Sequence, residues 1–211
     1  MTMQTYSIRL VTLSFAVALL ATPTSLADTV YVGNGNNTIE RFTPGGVGSV
    51  FGNTGSNRPE GLAFDSAGNL YVAYGNTIGK FTPGGIGSVF ATNSGLSSPQ
   101  GLAFDGAGNL YAANANNSTI EKFTPSGVAS VFATNSGLSS PRGLAFDSAG
   151  NLYAANANNN TIEKFTPAGV GSVFANSGLS SPQYIAIIPE PMTWAMLALG
   201  SASLLALRRR N

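Results

Sequence analysis

Apolar residues along the interior of this chain come in runs of four to six, and each run is cut off by Gly, Pro, Asn or Ser. Residues 99–140 read PQGLAFDGAGNLYAANANNSTIEKFTPSGVASVFATNSGLSS, and residues 141–181 repeat this with one gap at 36 of 41 positions. Residues 59–98 are the same unit, two residues shorter at the central turn. Each unit divides into GLAFD, NLYAAN, TIEKF and VxSVFA, joined by SAG or GAG, an Asn-rich turn, TPxG and NSGLSS. Short β-branched and aromatic runs between turn residues predict strands. No ten-residue stretch of the unit escapes Gly, Pro or an Asn cluster, so helices are not expected there. Four strands in a period near 41 residues are the blade of a β-propeller.

The ends of the repeat region are partial units. TVYVGNGNNTIERFTPGGVGSVF opens it at the second strand, and PQYIAII (residues 182–188) carries only the first. Together they make one composite blade, predicting an all-β ring of about four blades of four antiparallel strands. The C-terminal strand would close it and leave no open edge. An open β-solenoid has no reason for that complementary split.

Repeat columns define the expected core. Eleven of twelve phenylalanines fall at Phe64/Phe104/Phe146, Phe42/Phe81/Phe123/Phe165 and Phe51/Phe90/Phe132/Phe174, with Tyr31/Tyr71/Tyr111/Tyr153 as a fourth column. Side chains that recur in every blade predict packing between blades. The DSAGN and DGAGN loops at Asp65, Asp105 and Asp147 offer one carboxylate each. They read as turns rather than calcium loops, which need six to eight oxygen ligands.

Near-identical blades make their differences informative. The residue after each opening Pro is Glu60, Gln100, Arg142 or Gln183, and in a propeller the first strand lines the axis. These four are expected to ring one mouth of the channel, with Arg142 opposing Glu60. A second candidate ring ends the second strands: Asn34, Tyr74, Asn114 and Asn156.

Composition narrows the chemistry. The chain has neither Cys nor His, which excludes disulfides, thiolate metal sites and the usual general base. Residues 28–191 hold six bases and nine acids, with no basic patch for nucleic acid. No nucleophile elbow, phosphate loop or carboxylate pair stands out, so no catalytic residue, metal or cofactor is expected.

The flanks predict export. Arg9, the apolar residues 10–21 and Ser25-Leu26-Ala27 have the order of a secretory signal peptide, ending at residue 27. Residues 192–207 form an apolar span of sixteen residues, about 24 Å as a helix and short for a bilayer. Pro189-Glu190-Pro191 precede it, and Arg208, Arg209 and Arg210 follow.

Two resemblances rest on these residues. PxGLAFDxxGNLYxAN…NTIEKF, over residues 28–188, resembles the NHL repeat and the lactonase-like and streptogramin-lyase-like propellers. NHL propellers commonly have six blades, so either this ring is small and tight or two chains share a larger one. The lactonase-like relatives imply an axial metal site of acids and asparagines, for which Glu60 is the sole carboxylate. The lyase-like relatives imply a histidine base, which this chain lacks. Residues 189–211 resemble the PEP-CTERM sorting signal. That implies transient inner-membrane insertion, processing by an exosortase-type enzyme and release to the cell surface or medium, alongside exopolysaccharide. The expected function is therefore an exported β-propeller with a non-enzymatic binding or structural role, its partner an exopolysaccharide or a surface protein. The alternative is an axial-site enzyme of lactonase or lyase type.

Overall fold

The computed structural model describes residues 29–92, 95–134 and 137–188. The expected signal peptide and sorting tail lie outside them. Among the described residues all regular structure is β, in four antiparallel meanders. The first is three-stranded: β1 (Val30–Gly33), β2 (Thr38–Phe42) and β3 (Gly48–Asn53). The second comprises β4 (Pro59–Phe64), β5 (Leu70–Tyr74), β6 (Thr77–Phe81) and β7 (Gly87–Thr92). In the third are β8 (Pro99–Phe104), β9 (Leu110–Asn114), β10 (Thr119–Phe123) and β11 (Ala129–Thr134). The fourth holds β12 (Pro141–Phe146), β13 (Leu152–Asn156), β14 (Thr161–Phe165) and β15 (Gly171–Ala175). Strands start and stop where the turn residues predict.

The Asp loops are turns. Asp65 Oδ1 accepts the N–H of Ala67 at 3.0 Å and of Asn69 at 2.8 Å, and Asn69 Nδ2 donates to Oδ2 at 2.8 Å. Gly68 takes φ +79° to bring the chain back. Asp105 and Asp147 repeat this arrangement.

The core lies between blades. Tyr71 of the second blade is held edge-on by Phe90 of its own blade (4.9 Å) and Phe104 of the next (5.0 Å), and Phe90 in turn meets Phe123 at 6.0 Å. The same wedge recurs one blade on with Tyr111, Phe132, Phe146 and Phe165. Ile78, Ile120, Phe123 and Phe165 are fully or nearly fully buried in these joints. Such apolar burial contributes about 1.5–3 kcal/mol per large side chain. The aromatic columns are thus joint-fillers, as the repeat pattern predicts.

First strands stand side by side near the axis, and glycine makes this possible. A Cβ at Gly61 would collide with the carbonyl oxygen of Gln100, and one at Gly101 with that of Arg142. Gly143 faces Tyr184 in the same way, with a Cβ there 2.8 Å from the Tyr184 Cα.

The closing strand departs from expectation. Residues 182–188 form no ladder and do not pair with β1. They lie against the fourth blade, where Ile185 and Ile187 pack on Tyr153, Ala155 and Ile162. This is the place that β8 and β12 take on the blades before them. β1 pairs only β2 and is left as an edge strand among the described residues. Val30 and Val32 are accordingly 56% and 39% exposed, although their counterparts Leu70 and Val72 are fully buried.

Candidate functional site

Each first strand begins with a bulged register, between Pro59 and Leu62, Pro99 and Gly101, or Pro141 and Leu144. The bulge turns the residue after the opening Pro toward the axis. Glu60, Gln100, Arg142 and Gln183 therefore come together as predicted, in one cavity of about 420 Å³. Arg58 and Tyr184 also line it.

Polar contacts inside the cavity differ from the expected pairing. Arg142 does not oppose Glu60. Its Nη1 donates to Gln183 Oε1 at 2.7 Å, and its buried Nε has no partner among the described residues. Glu60 is 3.8 Å from Arg58 Nε instead. Gln100 Nε2 donates to Ser98 Oγ at 3.3 Å, and Gln183 Nε2 to Ser181 Oγ at 3.1 Å. Among the described residues Arg142 is thus left without an acid partner, in a pocket that also holds the Arg58–Glu60 pair and Tyr184 beside amides, glycine and leucine. Among the described residues no three acids cluster as a metal would require.

The second predicted ring is not at the mouth. Asn114 and Asn156 are both 0% exposed and hold loops in place. Asn114 Oδ1 accepts the Ser97 N–H at 3.2 Å, and its Nδ2 donates to Thr119 Oγ1 at 3.1 Å. Asn156 does the same for Ser139 and Thr161, and Asn34 bonds Thr38 at 3.2 Å. A polar side chain this deep must spend its hydrogen bonds locally. Tyr74 crosses over Gly79, whose Cβ would come 2.8 Å from the ring, and burial raises its pKa.

Two buried acids beside this ring escaped the sequence reading. Glu121 and Glu163, in the TIEKF strands, lie in the interior, each with Oε2 unpartnered among the described residues. Burial pushes Glu163 from 4.5 up to about 7. Burial also raises Glu121, against the opposing pull of Asn114. The signal was a compensating pair: the one whole blade that replaces the acid with Gly79 also replaces Asn with Tyr74.

Comparison with solved structures agrees with this architecture. Virginiamycin B lyase from Staphylococcus aureus matches at a TM-score of 0.64 and 21% identity, over 77% of this chain and 61% of that one. A nidogen/laminin complex matches at 0.66 and 25% identity, over 74% and 65%. A putative gluconolactonase matches at 0.65 and 17%, over 77% and 64%. The blades are propeller blades. This chain spans less than two thirds of the length of these structures. Another of the matched structures is a catalytically inactive histidine-to-alanine variant of the lyase with quinupristin. No protein-family model and no curated protein matches the chain.

Proposed function

We propose that this protein is an exported, surface-associated binding module whose axial cavity takes an acidic polysaccharide. The observation that carries this is Arg142: a guanidinium whose buried Nε has no partner among the described residues, in a polar cavity where Arg58, the other cation of the described lining, already faces Glu60. A guanidinium in such a setting favours a carboxylate, and charge-assisted bonds are the strong ones. The surrounding Gln100 and Gln183 amides suit sugar hydroxyls. Export, exosortase-type processing at Pro189-Glu190-Pro191 and release beside exopolysaccharide complete the reading.

The test is calorimetry against a polyuronate and against neutral dextran. Binding of the polyuronate alone, weakened at least about tenfold in Arg142→Gln, is expected. Equal binding of both polymers, or an Arg142→Gln protein that binds as well as the parent, defeats the proposal.

A lyase- or lactonase-type enzyme remains the second reading because of the lyase and gluconolactonase likeness. Lacking His, the chain would need a different base from the histidine of that reading. Tight Ca²⁺, Zn²⁺ or Mn²⁺ binding, lost in Glu60→Gln, would favour it.

A further inference from the structure

The two ends of the blade array carry complementary halves of one joint. At the first end, among the described residues, β1 has neither a first strand beside it nor a blade behind it, and Val30 and Val32 are exposed. Phe42 there meets no preceding blade, whereas Phe81, Phe123 and Phe165 each touch the fourth-strand Phe of the blade before. At the other end Phe174 is 62% exposed. It meets only Tyr153, at 5.1 Å, whereas Phe51, Phe90 and Phe132 also reach the next blade. Residues 182–187 pack on the fourth blade in the place a next blade's first strand takes.

We propose that a second copy of the chain supplies both missing halves. Residues 182–187 of each copy add to β1 of the other, and two chains close into one ring of eight blades. Strand addition to an exposed edge is a recurrent mode of recognition, and eight blades lie within the usual range of about four to eight. The register follows from the internal blades, where Leu62 faces Val72, Ala63 faces Tyr71 and Phe64 faces Leu70. By the repeat alignment, Ile185 then faces the partner's Val32, Ala186 the partner's Tyr31, and Ile187 the partner's Val30. Phe174 meets the partner's Phe42, rebuilding the Phe–Phe contact of every internal joint.

Tyr184 replaces the glycine of the other first strands and is 91% exposed. In a head-to-tail pair the rotation is shared among twice as many joints, and the contact closes on itself rather than running on.

The chain has no cysteine, so an engineered pair reports only its own contact. Val32→Cys combined with Ile185→Cys places two thiols opposite each other across the proposed joint. Native mass spectrometry of the full chain in mild detergent should show two chains, and oxidation of the double variant should link them with both thiols consumed. Phe174→Asp changes a side chain that is exposed within one chain. It should keep the β circular-dichroism spectrum and weaken pairing at least tenfold. An internal disulfide in a one-chain species, free thiols in a one-chain species, or a covalent ladder beyond two chains would each overturn the proposal.

Discussion

Glu163 is 1% exposed, on the interior face of β14 beside the loop at Gly137 and the start of β15 at Gly171. No described group answers its Oε2, and burial raises its pKa from 4.5 to about 7. The folded protein therefore holds a proton that the unfolded chain releases above pH 4.5. Stability falls as pH rises from about 4.5 to 7, because the folded state binds more protons in that window. A displacement of this size corresponds to about 3 kcal/mol by pH 8. Glu163→Gln removes the ionisation and keeps the shape. It should match the parent near pH 4.5 and exceed it by about 1–3 kcal/mol at pH 8.5, once some loss from imperfect amide bonding is allowed for. For a domain of this size the midpoint of thermal unfolding should rise by several degrees at pH 8.5, at roughly 2–4 °C per kcal/mol. Urea unfolding of both proteins at the two pH values measures the difference directly. A Glu163→Gln change with the same effect at both, or one more destabilising at the higher pH, would refute the burial argument.

Other perturbations follow from the same geometry. Asp147 is held below the usual carboxylate range by the Asn151 side chain first, despite a raising contribution from burial, with Asn151 N–H, Tyr153 and Ala149 N–H assisting. Its contribution is present above about pH 4 and lost as pH falls further, so a stability profile should peak near pH 4–5 between this loss and that of Glu163. Phe123→Ala, at a fully buried joint position, should cost about 3–5 kcal/mol in chemical denaturation. Gly101→Ala drives a Cβ against the Arg142 carbonyl and should cost about 1–3 kcal/mol, whereas Tyr184→Ala, exposed to solvent, should leave single-chain stability within about 0.5 kcal/mol.

Much of the fold was legible because each blade repeats its own instructions. The Asp-x-x-Gly-Asn turns, the Gly-ended Thr-Pro turns and the recurring Phe and Tyr columns fix strand limits and joint packing without reference to the whole. Residues 182–188 misled for a physical reason. A first-strand sequence records which blade it packs on, but not whether β1 is within reach to pair with it. The axial residues were found because they vary where everything else is constant. Arg58 was missed because it stands before the opening Pro, where the other blades carry Ser98, Ser140 and Ser181. Asn114 and Asn156 were misplaced because a strand-end Asn looks the same whether it faces a channel or holds a loop. Glu121 and Glu163 were not singled out, and only the paired change to Tyr74 and Gly79 betrays their burial.

The axial cavity is the centre of the functional account, and a crystal structure of the protein with a short uronate oligosaccharide tests it most directly. The account predicts the sugar along the first strands, a carboxylate bonded to Arg142 Nε and hydroxyls on Gln100 and Gln183. A sugar bound on an outer blade face, or an empty axial cavity at saturating oligosaccharide, would contradict it.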